Sequence, residues 1–234
     1  MWFGCVWLSA QTEYNFSVLE GVYEPLTEGD TISRNLPWAE EDFYFELPYD
    51  VSIMGLSSNK FRAMQGAIRM DSIINGMPMN VVASAFATDL RSKASQPSAS
   101  PIILQTNGAP GERITTLEFR NAHFELLDGV TDFVNFQIKY FEKDRSIEYH
   151  YGESKTDVIE EVSNNQSIIF GGLVGIALGD SMDLVDGYLL NGFADNPMVV
   201  RRYEVLQGFP QADNIFRFTP KTTLTQDAVN GHCS

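Results

Sequence analysis

The stretch VNFQIKYFEKDRSIEYHYGE, residues 134–153, indicates the fold class. Apolar residues occupy every second position from Val134 to Tyr140, the period of two that is typical of a half-buried antiparallel strand. The polar residues 143–146 predict a turn, and a second alternating run follows them. The stretch therefore predicts a β-hairpin. It predicts no chemistry, because one scaffold can carry many functions.

The same pattern extends over most of the chain. Short apolar runs recur between turn signals, with no convincing helical period. With the two strands of the hairpin included, strands are predicted at 14–19, 43–47, 51–54, 67–70, 81–87, 102–105, 114–120, 134–141, 147–151, 167–170, 174–178 and 215–218. About a dozen short strands predict an all-β protein, an antiparallel β-sandwich of jelly-roll-like form.

A single sandwich domain is predicted over residues 12–221. The Ser- and Pro-rich segment RSKASQPSASP at 91–101 is a long loop within it or, alternatively, a break between subdomains. Residues 222–234 are polar and predict a flexible tail.

Composition limits the partners. The chain has 16 Lys plus Arg against 31 Asp plus Glu, a formal net charge of -15 over 234 residues. This charge argues against nucleic acid and anionic membranes as partners. The acidic residues are scattered, which favours a solvated surface over a dedicated cation-binding one. No stretch is long and apolar enough to predict a transmembrane segment.

The amino end suggests export. Residues 1–8 are apolar and aromatic, and Ser9-Ala10-Gln11 supplies the small residues of a signal-peptidase site. Residues 1–11 are therefore interpreted as the remnant of a signal peptide whose true start lies upstream, the alternative being a buried first strand. Cleavage would remove Cys5 and leave Cys233 alone, so no internal disulfide is expected. The predicted location is secreted or at the cell surface.

Three groups of segments resemble a known family. They are residues 15–33 with Trp38 and 43–51, residues 112–124 with 132–152, and residues 171–181 with 187–197 and 208–221. Together they resemble the β-rich amino-terminal domain of secreted Bacteroidota proteins that use the type IX secretion system, and the second group resembles strands of nidogen-like extracellular domains. The resemblance implies an extracellular binding or structural domain. Members usually continue into a carboxy-terminal sorting domain, whereas only the short tail follows residue 221 here.

No catalytic residue is predicted. Gly179-Asp180-Ser181 is similar to the nucleophile block of GDSL-type hydrolases, with Asp227 and His232 downstream. In that family, however, the block opens an α/β domain, and a triad needs three groups held in register.

Acid pairs for glycoside hydrolysis are equally weak. Glu118 with Glu125, or Glu148 with Glu153, could be paired, but solvated strand faces explain these residues more simply. We expect no enzymatic activity. A hydrolase of extracellular polymers is the alternative.

Metal binding is predicted at one place only. His123, His150 and His232 lack the spacing of paired metal ligands. The acidic loop formed by Asp180, Asp183 and Asp186 could hold calcium through oxygen ligands, although its spacing is not that of an EF-hand loop. The alternative is that these side chains cap their own backbone turns. No other cofactor is expected.

Aromatic residues supply a candidate ligand surface. Trp38, Tyr44, Tyr49, Tyr149 and Tyr151 could stack against sugar rings if two or more of them are exposed and coplanar. Packing in the core is the competing interpretation, because aromatic residues dominate sandwich interiors as well. The sequence thus predicts a non-enzymatic binding or structural protein, carbohydrate-binding or adhesive in its sharper form. Its partner would be a polysaccharide or a surface protein, and a cell-envelope component that binds a protein is the further alternative.

Overall fold

The computed structural model describes residues 13–34, 36–39, 41–74, 76–93, 97–125, 131–167, 169–179 and 184–221. Within them the chain forms sixteen strands, one α-helix and one short 3-10 turn. Residues 1–11 and 222–234, for which a signal remnant and a flexible tail are predicted, lie outside this part of the chain.

Eight strands, numbered in chain order, form sheet I. From one edge to the other they are β1 (Tyr14–Glu20), β16 (Asn214–Pro220), β11 (Ile147–Tyr151), β10 (Val134–Phe141), β9 (Ile114–Phe124), β8 (Ile102–Asn107) and β2 (Asp30–Thr31), with β7 (Leu90–Arg91) paired to the end of β9. All pairings in this sheet are antiparallel.

The other eight strands form sheet II. In order they are β14 (Met198–Val200), β13 (Leu184–Phe193), β15 (Leu206–Gln207), β12 (Gly171–Gly179), β6 (Met77–Ala87), β5 (Ala67–Ile74), β4 (Leu56–Met64) and β3 (Phe43–Ile53). The pair β13–β15 is parallel and the other pairs are antiparallel. The predicted all-β sandwich is confirmed.

The hairpin predicted from residues 134–153 is confirmed as β10 and β11. Gln137 lies opposite His150 and Lys139 lies opposite Glu148 in the register. The carboxylate of Asp144 closes the turn, because its Oδ1 accepts hydrogen bonds from the Ser146 amide at 3.0 Å and hydroxyl at 2.6 Å. A short acidic side chain that bonds to the backbone two residues later is a common turn device.

One core fills the space between the sheets. Its largest members include Phe86, Phe119, Phe136, Tyr149 and Tyr151, all fully buried. Each buried hydroxyl has an acceptor: Tyr149 donates to a carbonyl of sheet II at 2.7 Å, and Tyr151 does so at 2.8 Å. These bonds offset the cost of burying the two hydroxyls, and burial of each aromatic ring stabilises the folded state by about 2 to 3 kcal/mol.

The segment 91–101 connects strands that share this core. Leu90 before it and Ile102 after it are buried in the same cluster. Both β7 and β8 pair with β9, one on each side of the segment in sequence. The strands on either side of the segment thus pair with the same strand and share one core.

Some element predictions were wrong. Of the predicted strand 167–170, the described residues 167, 169 and 170 are not in a strand; Ser167 ends helix α1 (Asp157–Gln166) with a left-handed φ of 55°. The strands predicted at 43–47 and 51–54 are one strand, β3, interrupted by an irregularity between Glu46 and Val51. Helix α1 was missed because its amino end is stabilised by a distant residue: the buried Asp132 accepts a 2.8 Å hydrogen bond from the Ile159 amide.

Candidate functional site

The connection between β1 and β2 crosses the outer face of sheet I. β1 and β2 lie at opposite edges of that sheet, so residues 21–29, which join them, must traverse its width. We call residues 21–29 the strap. It lies over polar side chains of β9 and β10, with which it forms hydrogen bonds.

Glu118 is the main anchor of the strap. Its side chain is fully buried, and its two carboxylate oxygens accept hydrogen bonds from the Tyr23 hydroxyl at 2.8 Å, the Leu26 amide at 2.9 Å and Arg120 at 2.7 Å. Burial, followed by the neighbouring Glu118 carboxylate, raises the pKa of the Tyr23 hydroxyl, which therefore remains a donor. One carboxylate thus joins the strap to the sheet.

Further contacts fix both halves of the strap. Gln137 donates to the Glu24 carbonyl at 2.8 Å, and Arg120 donates to the Leu26 carbonyl at 2.7 Å. The Tyr23 amide donates to Asp213 at 2.8 Å. The polar backbone groups of an irregular segment are therefore satisfied by side chains of the sheet.

Gly152 makes room for the aromatic ring of the strap. A Cβ atom at this position would come within 2.7 Å of the Tyr23 ring. Real Cβ atoms do not approach so closely, so glycine is required here for the ring to lie against the end of β11. The strap and the sheet are matched in shape as well as in hydrogen bonds.

A groove of about 560 Å³ opens beside the strap. We call it the strap groove. Its polar lining is formed by Tyr23, Arg120, Asn121, Asn135, Glu153 and Asp213, with Glu118 at its base. The volume is within the range of small-molecule sites, which are concave and carry a few convergent polar groups.

The two amides of the groove brace its wall. The Asn135 side chain accepts a 2.7 Å hydrogen bond from the backbone N–H of Asn121 and donates a 2.6 Å bond to the Glu153 carbonyl, while the Asn121 side chain donates to the Ala99 carbonyl at 3.0 Å. By contrast, the exposed carboxylate of Glu153 forms no hydrogen bond or ion pair with any described residue. The groove therefore offers a free acceptor beside rigid polar walls.

A second polar cluster lies on the same outer face of sheet I. Glu148 accepts hydrogen bonds from His150 at 2.7 Å and from Arg217 at 2.6 Å. Glu148 and His150 are both buried. Burial raises the pKa of Glu148, but the hydrogen bond and charge of His150, with the charge of Arg217, outweigh it and lower that pKa. In the described part of the chain, His150 Nδ1 and the Oε1 atom of Gln137 are buried without a partner.

The structure does not form the aromatic platform. Trp38, Tyr49, Tyr149 and Tyr151 are buried in the core, which is the competing interpretation given above. Tyr44 alone among the five is exposed, at 76%. The side chains of alternate strand positions face the interior here, so the stacking surface that required two exposed rings is absent from these five residues.

The calcium hypothesis rests on residues that the structure describes only in part. Asp180 and Asp183 lie outside the described residues, whereas the buried Asp186 contacts Arg201 at 2.7 Å and accepts a 2.8 Å bond from the Gly187 amide. Its carboxylate is thus engaged within the protein. No group of three or more His, Cys, Asp or Glu side chains that could hold a metal ion occurs among the described residues.

The residues of the hydrolase hypotheses lie only partly within the described part of the chain. Ser181, Asp227 and His232 lie outside the described residues. Among the acid pairs, Glu118 is saturated by three donors, and Glu148 is bonded to His150 and Arg217. Both acids therefore act as anchors in the fold.

Sequence reasoning missed most of the groove. Tyr23, Asn121, Asn135 and Asp213 come from four distant segments, so only the sheet order brings them together. The sequence did contain one indication of the groove, because the alternation in β9 places Glu118 and Arg120 on the same face of the strand. That alternation alone predicts a polar face and does not predict a groove.

The structure is a β-sandwich domain with a polar groove on one sheet. A family model described as NIDO related matches residues 13–220, and the chain belongs to this family. The nidogen-like resemblance is thereby confirmed, and the family is extracellular in kind. Comparisons with the curated proteins and with the solved structures found no match. No described helix is long and apolar enough to cross a membrane.

Proposed function

We propose that this chain is a non-enzymatic extracellular domain that binds a neutral polysaccharide in the strap groove. The observation that carries the proposal is the Glu153 carboxylate, which has no partner among the described residues, beside the braced Asn135 side chain in a groove of about 560 Å³. The extracellular kind of the family supports the proposal that the domain is secreted or displayed at the cell surface. Export by a type IX route and an origin in Bacteroidota remain predictions.

The polar chemistry of the groove fits a hydroxyl-rich ligand. Carboxylate oxygens accept from sugar hydroxyls, and the Arg120 guanidinium and Tyr23 ring supply donors and an apolar contact in the same groove. Acidic polysaccharides fit less well, because the groove carries Glu153 and Asp213 and the whole chain has a net charge of -15.

Binding without catalysis is favoured by the state of the buried acids. A general acid or base must exchange a proton with the ligand. Both carboxylate oxygens of Glu118 already accept hydrogen bonds, and the residue lies beneath the strap. Glu118 is therefore not placed to take a proton from a ligand. Glu153 alone could not supply the pair of facing carboxylates that glycoside hydrolysis requires.

The test is a thermal-shift screen of the full chain against soluble neutral polysaccharides. A ligand at about 100 times its Kd stabilises the folded state by about 2.7 kcal/mol, which raises the Tm by about 5 to 10 °C. Glu153→Ala and Asp213→Asn should each weaken the apparent affinity at least about tenfold, and the rise in Tm should become smaller accordingly. The matched control, Glu112→Ala, changes an exposed acid of the β8–β9 turn and should leave the shift intact.

Two outcomes contradict the proposal. One is a flat screen across the polysaccharides. The other is a shift that survives Glu153→Ala and Asp213→Asn unchanged, because the ligand would then bind elsewhere on the domain.

A further inference from the structure

The two sheets have four edges, and three of them are poor templates for another strand. β2 and β14 have only two and three residues. β3 is longer, but its pairing shifts between Glu46 and Val51 across a segment that contains Pro48. Short length, irregular pairing and proline are the devices by which natural proteins protect sheet edges.

The fourth edge, β1, has none of these protections. It pairs with β16 in unbroken register over seven residues, Tyr14 to Glu20. Five of its seven residues are exposed, and the strand carries no Lys, Arg or Pro. No other described strand pairs with its outer edge, so within the described part of the chain no ladder uses its outward N–H and C=O groups.

Both faces of this edge offer apolar contacts. Val18 is 47% exposed and lies on the same side of the strand as Phe16, towards the sandwich interior. Leu19 is 41% exposed and lies on the opposite side. An added strand could therefore place apolar side chains on both faces of sheet I, next to these two residues.

We propose that the outer edge of β1 binds an extended, positively charged segment of a different protein by β-strand addition. Backbone hydrogen bonds would supply the affinity, and Val18 and Leu19 would select apolar side chains. Charge decides between a foreign strand and a second copy of this chain. Each copy carries a net charge of -15, which opposes self-pairing and favours a cationic partner. Glu20, at the end of β1, forms no ion pair with any described residue and could pair with that partner's cation.

This surface is separate from the strap groove and does not depend on the polysaccharide proposal. A random peptide library displayed on phage is the probe, with the full chain as the immobilised target. Enriched peptides are then synthesised, and their Kd and the hydrogen exchange of the protein amides are measured. We expect alternating apolar and Lys or Arg residues in these peptides, and new exchange protection confined to residues 14–20.

A matched pair of variants tests the location. Val18→Lys with Leu19→Lys adds charge to exposed positions of β1 and should weaken peptide binding at least about tenfold. Met198→Lys with Val199→Lys makes the same change at the edge strand β14 and should leave the Kd unchanged.

Other outcomes overturn the inference. They are the absence of enriched peptides, protection at elements other than β1, and equal binding by the two variants. Light scattering could instead show a molar mass that doubles as the protein concentration rises. If the Val18→Lys, Leu19→Lys variant stays monomeric under the same conditions, the edge would be assigned to a second copy of the chain.

Discussion

The Tyr23 hydroxyl donates a 2.8 Å hydrogen bond to Oε1 of Glu118, a residue far away in sequence. This bond holds an irregular connection against the outer face of a sheet. The same carboxylate also accepts from the Leu26 amide, so the strap is held at two points. Loss of either partner should therefore loosen the strap and leave the remaining polar groups buried without a partner.

Tyr23→Phe should destabilise the protein by about 1 to 3 kcal/mol, because Glu118 loses a donor while it remains buried. Denaturant unfolding measures the change. Tyr44→Phe is the control, since Tyr44 is exposed and forms no hydrogen bond with the described residues, and its effect should be close to zero. Equal effects of the two substitutions would contradict the anchoring role of the Tyr23 hydroxyl.

Glu118→Ala should cost about 3 kcal/mol or more, because the Arg120 guanidinium and the Leu26 amide would lose their common acceptor. Hydrogen exchange should show the loss most clearly at residues 21–29. Glu112→Ala removes an exposed ion pair with Lys143 and should cost less than about 1 kcal/mol. A strap that stays protected in the Glu118 variant would argue against this account.

Gly152→Ala should destabilise the protein by about 1 to 3 kcal/mol, because the new methyl group would overlap the Tyr23 ring. The cost should largely vanish in a Tyr23→Ala background, where the ring is absent. A double-mutant cycle from unfolding curves measures this coupling. If the cost of Gly152→Ala is the same in both backgrounds, the ring is not its cause.

Acid stability should depend on Glu142. Hydrogen bonds from Arg113, and then from neighbouring backbone amides despite partial desolvation, lower the pKa of Glu142 to about 2 from its ordinary 4.5. A carboxylate with a depressed folded pKa stabilises the fold fully above the unfolded pKa and loses that contribution as pH falls through the folded pKa. The Tm should therefore fall between pH 4.5 and about 2.

Glu142→Gln should lower the Tm at pH 7 and flatten its fall over that acid range. Arg113→Lys should give an intermediate profile, because Lys keeps the charge but loses the two-pronged contact through Nε and Nη2. Thermal unfolding from pH 2 to pH 7 checks both variants. A wild-type slope in the Gln variant would show that other acids control the acid response.

The sequence predicted local features well because their causes are local. β10 and β11 follow from side-chain alternation and from a turn closed by Asp144. β13 was missed because Gly187 and Gly192 interrupt its alternation, although it pairs with β12 and β14. The strap groove depends on the positions of β1 and β2 at opposite edges of sheet I, a long-range relationship that strand periodicity does not encode.

The predicted aromatic surface shows the same limit. Tyr149 and Tyr151 alternate with His150 in β11, so one face of that strand was known to be aromatic. Periodicity does not tell which face is turned inward. The second sheet decides this, because the hydroxyls of both tyrosines reach its carbonyls.

The position of β16 has a consequence for the time at which sheet I can be completed. β16 lies between β1 and β11, and it is the last of the described strands to be synthesised. As the chain emerges from a ribosome or a translocation channel, β1 has no neighbour in sheet I until β16 arrives. The earliest of the described strands therefore stays unpaired in sheet I until residues 214–220 have emerged, which makes it the segment where a chaperone would have most to protect.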